Sequence, residues 1–449
     1  MALPGSPPAE TNSSRPAVNP WIAWQTVAIF FLIYVLGFID RVIPIYLVKE
    51  IRHSLDITDF QFSLMQGLAF ALFYSVLGIP VGWLVDRAPR RRIMAWGITI
   101  WSIGTIGCGL ARHYWQLLLG RVGLATGEAT IAPTAYSMVS DLFPPQRLTL
   151  ALSIVGTGAQ VGTMLAAAVA GYVVSNTPEG GVDLGFLGHV QGWQLALLLV
   201  GVAGLLLAPL IYTVPEPMRR VKSATEADVI PFSEVFARLL AERRFYLGHF
   251  VGFGFASMVG WSVVLWAPTF FMRHHGWSIQ QTALSIGSLT LFVGLPGTLI
   301  MGYIVDRWFA RGRHDAHLVF YAGATLVSAL LVAGMVQAES AMVSLACLGA
   351  FNFFCNFIGL SAAALQIVTP ARMRGRVSAM FLLVYNIMGF GLSPMVVALM
   401  TDYVFHDDAL VGYSILASVL TCALPSVLML LYAAPRMRIL ARDATADNA

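Results

Sequence analysis

The sequence predicts an all-α integral membrane protein of twelve transmembrane helices, arranged as two six-helix halves. Three observations predict it. The 449 residues are 57% hydrophobic and only 11% charged, with a mean hydropathy of +0.74, whereas soluble domains carry about 25% charged residues. The apolar residues fall into runs near the roughly 20 residues that cross a bilayer's hydrocarbon core. A loop motif of the first half also returns in the second. A water-soluble globular domain is excluded by composition alone.

The runs of the first half lie at 24–47, 61–85, 93–111, 114–140, 148–175 and 193–214. Those of the second lie at 245–272, 278–305, 317–336, 341–369, 376–401 and 410–433. The implied organisation is a disordered, Pro- and Ser-rich cytoplasmic tail over 1–20, then a six-helix bundle over 21–214. A basic cytoplasmic linker follows over 215–244, then a second bundle over 245–433 and a cytoplasmic tail over 434–449. Residues 1–20 lack the basic start and short apolar core of a cleavable signal. Within the linker, Pro231–Leu240 reads as a short amphipathic helix lying on the membrane surface.

Charge placement sets the expected orientation. With both termini in the cytoplasm, only Lys49, Arg52, Arg112 and Arg273 of the 27 basic residues fall in outside loops, and Arg41 and Arg121 are buried. That bias is the positive-inside pattern. The net charge of +4 is therefore topology rather than a nucleic-acid patch. The four cysteines, Cys108, Cys347, Cys355 and Cys422, lie in apolar runs without metal-ligand or disulfide spacing. No metal site or cofactor is expected, and no Walker loop points to ATP. No nucleophile constellation points to an enzyme.

The internal repeat is specific. Gly82-Trp-Leu-Val-Asp86-Arg87 with Arg91, between the second and third spans, returns as Gly302-Tyr-Ile-Val-Asp306-Arg307 between the eighth and ninth. A weaker echo relates Pro144-Pro145-Gln-Arg147 to Pro370-Ala-Arg372. Six-span repeats are the architecture of alternating-access carriers, with the site between the halves. The duplicated Gly-x-x-x-Asp-Arg loop and the twelve spans resemble the major facilitator superfamily over essentially the whole chain. That resemblance implies the major facilitator fold. It also implies a conformational latch at Gly82, Asp86, Arg87, Arg91, Arg147, Gly302, Asp306 and Arg307. Ordinary loop charges are the alternative reading, and Pro89 departs from the family's usual Gly.

Phe38-Ile-Asp40-Arg41, Gly120-Arg121-Val-Gly123-x3-Gly127-Glu128 and Asp141-Leu-Phe143-Pro144-Pro145-x-Arg147 resemble the spinster branch of that superfamily. This second resemblance implies a bacterial relative, in the inner membrane, of carriers for sphingolipids and lysophospholipids. Its implied partners are protons and an amphiphilic anion. The antiporter-type fifth-span motif is not met, since Gly158-Ala-Gln-Val-Gly162-Thr lacks the Pro.

The chemistry is expected at four charges inside the spans: Asp40, Arg41, Arg121 and Glu128. A charge near the bilayer centre costs roughly 2.5–3.5 kcal/mol on insertion scales, so it faces a partner or a watery cavity. Arg121 and Glu128 are seven residues apart and share a helix face, as do Tyr34 and Arg41. Asp40 points about 100° from Arg41, at the cavity's edge where Arg41 faces into it. Asp40 and Glu128 are read as protonation sites. Arg41 and Arg121, with Tyr34, are read as headgroup or switching partners, because a guanidinium binds carboxylate or phosphate bidentately and keeps its charge. A static buried network is the alternative.

The second half contributes aromatics and amides instead. Trp261, Trp266, Asn352, Asn356, Tyr385 and Asn386, with Phe38 of the first half, are read as cavity lining; helix packing is the alternative. The function expected is proton-coupled transport of a lysophospholipid or sphingolipid-like anion by a monomeric carrier. A carrier of soluble organic anions or drugs is the closest alternative, and a transport-dead receptor a third.

Overall fold

The computed structural model describes residues 20–85, 87–143, 145–178, 180–185, 188–216, 231–355, 357–370 and 373–446. In hydrocarbon an apolar run must satisfy its own backbone groups, so long runs become helices. Twelve long helical stretches result. In the first half, α1 is Pro20–Tyr46; α2 joins Asp59–Ser63, a π-helical turn Leu64–Ala69 and Phe70–Val85; α3 is Arg90–Gly109. Next, α4 comprises Tyr114–Glu128 and Ile131–Leu142, α5 is Pro145–Asn176, and α6 is Gly192–Leu207.

In the second half, α7 is Arg243–His274, and α8 joins Ile279–Leu289, a π-helical turn Thr290–Gly294 and Leu295–Ala310. Helix α9 is Ala316–Gln337, and α10 comprises Ala341–Cys355 and Ile358–Val368. Helix α11 joins Arg374–Tyr385, a π-helical turn Asn386–Leu392, Ser393–Leu399 and a second such turn Met400–Phe405. The last, α12, is Val411–Ala446. Ten of the twelve are long and apolar enough to cross a membrane by length and composition. The other two are α3, which opens on three arginines, and the divided α4.

Two departures from the sequence expectation, in the fourth span and at the end of the twelfth, have local causes. The fourth span breaks just after Glu128: Pro133 has no N–H to continue the ladder, and the Thr130 hydroxyl turns back to the Gly127 carbonyl at 2.8 Å. The linker helix runs Phe232–Ala241. The stretch after residue 433, expected as a tail, continues α12 as helix. Arg436 donates to Glu242 at 2.6 and 2.8 Å and Arg438 to Asp315 at 2.5 Å, while Met437, Leu440 and Ala441 are buried.

Within the halves, α1 lies along α5, α3 against α4 and α6, α7 along α12, and α9 against α10 and α12. The α1–α5 approach needs small residues: a Cβ on Gly158 would stand 2.8 Å from the Phe31 carbonyl and the Tyr34 Cβ, and one on Gly162 2.8 Å from the Phe38 Cβ. Between halves, α5 meets α8 and α2 meets α11. Gln280 of α8 donates to the Gly171 carbonyl of α5 at 2.9 Å. A Cβ on Gly67 of α2 would lie 2.6 Å from Pro394 and 2.8 Å from the Phe390 and Gly391 carbonyls of α11.

These contacts lie toward the face opposite the termini, and that face also carries an ionic lock. Asp59 of α2, wholly buried, accepts from Arg273 of α7 at 2.7 and 2.9 Å. Arg52, on the short helix Val48–Leu55, reaches Asp59 at 3.1 Å and Asp408, beside α12, at 2.5 Å. The Phe60 N–H donates to Asp402 of α11 at 2.7 Å. Each half thus supplies an arginine to the other half's carboxylate.

Candidate functional site

The embedded charges of α1 and α4 meet, and the ion pair among them is Arg41–Glu128. Glu128, with a side chain inaccessible to solvent, accepts both Nε (3.0 Å) and Nη2 of Arg41 on its Oε2. Its Oε1 has no protein partner. The Arg41 guanidinium sits in an aromatic box, 4.9 Å from the Phe38 ring centroid, 4.7 Å from Phe70 and 5.0 Å from Tyr74. Its side chain stays 17% exposed, which makes it the reachable member of the pair. Aromatic faces attract such a cation by roughly 0.5–2 kcal/mol, a hold on Arg41 that does not depend on Glu128.

Asp40 does not sit at the cavity edge. It is fully buried between α1 and α3, where it accepts from the Thr105 hydroxyl, and its Oδ1 has no protein partner. The α1 backbone turns it toward Arg121, which is buried and donates to the Asp40 and Arg41 carbonyls, each at 3.3 Å, and to Gln66 Oε1. Among the described residues no carboxylate oxygen lies within ion-pair distance of Arg121. Removing a buried charge from water costs several kcal/mol unless a partner compensates. Here carbonyl and amide dipoles do so, with the Asp40 carboxylate nearby. Tyr34 is nearly buried, stacks on Phe38 at 6.5 Å, and turns its hydroxyl to that of Tyr136.

A cavity of about 280 Å³ opens between the halves next to this cluster, close to the lower end of the roughly 300–1,000 Å³ of small-molecule sites. Phe38, Gln160 and Thr163 line it from α1 and α5, and Ser257, Trp261, Asn352 and Tyr385 from α7, α10 and α11. No lining side chain is charged. Phe38 forms both one cavity wall and one side of the Arg41 box. Trp266, expected in the lining, is instead buried at the seam, where its indole N–H donates to the Pro394 carbonyl at 3.2 Å. Asn386 opens the π-helical turn of α11 and is half-buried outside the lining. Asn356 lies outside the described residues.

The loop residues divide in the same way. Arg91 donates through its N–H to Glu216 at 2.9 Å and through its side chain to the Tyr212 and Val214 carbonyls at 3.4 and 3.3 Å. Gly82 has open space around it, as has Gly302. Arg87 and Arg147 are exposed. Asp306 is exposed, and Arg307 donates to the Tyr303 hydroxyl at 2.7 Å. Asp86 lies outside the described residues.

Sequence reasoning passed over three features. Arg90, 1% exposed, bridges Asp141 (2.6 Å), Glu216 (3.1 Å) and the Ser137 hydroxyl (3.0 Å); within a run of three arginines nothing marks which one is buried. The lock residues Arg52, Asp59, Arg273 and Asp408 read as loop charges. Gln66 had a usable signal, a polar side chain inside an apolar run.

The family model described as Major Facilitator Superfamily matches residues 30–394. The chain is 28% identical to an MFS-type efflux pump of Mycolicibacterium smegmatis over 87% of each chain. It is 25% identical to Protein spinster of Drosophila melanogaster, covering 89% of this chain and 65% of that protein. Its structure superposes with a TM-score of 0.77 and 25% identity on a bacterial homolog of the human lysosomal transporter Spinster in an inward-facing, unoccupied conformation, over 96% of this chain and 99% of the other. The chain belongs to the major facilitator superfamily, a family of transporters, and its likenesses within it run to the spinster proteins.

Proposed function

We propose that this multi-pass membrane protein is a proton-coupled carrier of an amphiphilic anion, of the lysophospholipid or sphingolipid class, working by alternating access as a monomer. The observation that carries the reading is the Arg41–Glu128 pair, a sealed carboxylate held by one partly exposed arginine beside an uncharged, aromatic cavity. An anionic headgroup drawn to Arg41 competes with Glu128 for the same guanidinium, and the displaced, buried carboxylate favours a proton. Protonation of Glu128 conversely frees Arg41 to take the anion. Asp40, next to Arg121, is the second proton acceptor, and Arg121 the switching partner. The aromatic and amide surface of the second half suits the remainder of an amphiphile.

The positive-inside bias and the bacterial Spinster homolog support an inner-membrane protein with cytoplasmic termini, open to the cytoplasm in this state. The repeated loops, with Asp86 and Asp306, act in this reading as latches for the other state.

A second reading, transport of soluble organic anions or drugs, is favoured by the likeness to an efflux pump and by the amides in the lining. One experiment separates the two. Uptake of a labelled lysophospholipid and of a soluble organic anion is measured in proteoliposomes, with and without a pH gradient, for wild type, Glu128→Gln and Asp40→Asn. Gradient-driven lipid uptake lost in both variants is expected. Uptake of the soluble anion alone would install the second reading, and uptake indifferent to pH and to both substitutions would reduce the four charges to scaffolding.

A further inference from the structure

Gln66 is 2% exposed and lies on the π-helical turn Leu64–Ala69 of α2. Both ends of its amide are in use: Nε2 donates to the Arg41 carbonyl at 2.7 Å, and Oε1 accepts from Arg121. One neutral side chain therefore laces α1, α2 and α4 together at the charge cluster. The next residue, Gly67, makes the backbone approach to Pro394 and Gly391 of α11. Gln66 itself borders a void of about 10 Å³ at that seam, together with Trp266 and Pro394 of the other half. The α11 side of the seam is also a π-helical turn, Asn386–Leu392, and such turns are rare and concentrate at functional sites.

We infer that Gln66 is a positioning residue that couples the charge state of the α1–α4 cluster to the α2–α11 seam, an inference that rests on the proton-coupled reading above. Arg121 has no carboxylate within ion-pair distance, so the Gln66 oxygen supplies part of what holds its charge. When Arg121 is drawn onto an ionised carboxylate it leaves Gln66. A buried amide oxygen without a partner is costly, so the turn rearranges and Gly67 withdraws from α11. When the carboxylates are protonated or paired elsewhere, Arg121 stays on Gln66 and the seam stays closed. The groups facing this cluster are Tyr34, Asp40 and Arg41 of α1, Tyr74 of α2, Cys108 of α3, and Glu128 and Tyr136 of α4.

The test reads the seam rather than transport. Spin labels are placed on His53→Cys and Glu339→Cys, exposed positions of opposite halves on the face away from the termini, in a background with Cys347 and Cys355 changed to serine. Inter-label distances are measured in nanodiscs at acid and alkaline pH. Wild type is expected to shift between a short and a long distance with pH. Gln66→Met, of similar length and without hydrogen bonds, is expected to lose that shift. Gln66→Glu, which offers Arg121 a full charge, is expected to hold the short distance at both pH values, and it decides the matter alone if the Met variant does not fold. A folded variant of either kind that keeps the wild-type shift overturns the inference, including the case of lower yield with the shift intact. A wild type indifferent to pH overturns the proton-coupled reading, and this inference with it.

Discussion

Arg41 does two things that a lysine could not do together. It gives two N–H groups to one oxygen of Glu128 and sits within 5.0 Å of three aromatic ring centroids. Arg41→Lys keeps the charge but loses the planar fork. Charge-assisted hydrogen bonds contribute about 1.5–3 kcal/mol, so the loss of one predicts a drop in substrate uptake on the order of tenfold or more. Initial rates in proteoliposomes at subsaturating substrate check it, and wild-type rates would detach Arg41 from the site. The four embedded charges were legible because an ionised group in hydrocarbon has few explanations. Their pairing was not: helical spacing gives the face of one helix, while the partner depends on how α1 rolls against α3 and α4. The same roll carried Asp40 away from the cavity and onto Thr105. A second residue-scale prediction concerns Arg90. Asp141→Asn leaves that buried guanidinium with Glu216 and Ser137, and losing one partner of a buried charge costs about 1–3 kcal/mol or more. Thermal unfolding in detergent is expected to fall by several degrees, and an unchanged midpoint would contradict the bridge.

At the scale of elements, hydropathy located the spans and missed their interruptions. The α4 break depends on Pro133 and a hydroxyl back-bond, and the π-helical turns of α2, α8 and α11 leave no mark in hydropathy. The length of α12 was hidden for another reason: its last turns mix arginines with apolar residues, and tertiary contacts, the ion pairs together with buried Met437 and Leu440, keep them helical. Those pairs make a pH prediction. The Arg436 guanidinium beside Glu242 holds this carboxyl below its ordinary range. A carboxyl lowered in the folded state binds protons less readily there than when unfolded. Its stabilising contribution is therefore complete above the usual carboxylate range and is lost as pH falls through its lowered value. Glu242→Gln is expected to remove that part of the acid-side loss of stability and to lower stability at neutral pH. Melting curves of both proteins across the acid range check it; parallel curves would show that the α7–α12 tie contributes nothing measurable.

For the whole molecule, the repeat and the span count made the two-half architecture readable, because each half must bury its own small-residue contacts. The state of the carrier was not readable, since it rests on which loop charges find each other across the halves. In this structure the face away from the termini is held by a reciprocal exchange around Asp59, with Arg273 arriving from the other half and Arg52 reaching across to Asp408. Asp59 is wholly buried, so the lock cannot trade its partners for water without moving the halves apart. Removing one partner of a buried pair costs roughly 3–5 kcal/mol. Even part of that, withdrawn from the closed face alone, changes the ratio of the two states by about a hundredfold or more. Arg273→Ala is therefore expected to populate the form open at that face. Cys355 lines the inter-half cavity and reports the change directly, with the other three cysteines replaced. An impermeant maleimide should label it mainly from the face bearing the termini in the parent protein, and from the opposite face as well in Arg273→Ala. Arg52→Ala, which leaves the Arg273–Asp59 pair in place, should open that face less. Equal labelling of the parent and Arg273→Ala from both sides would mean that the helix contacts at Gly67 and Gln280, rather than the ion pairs, hold the halves together.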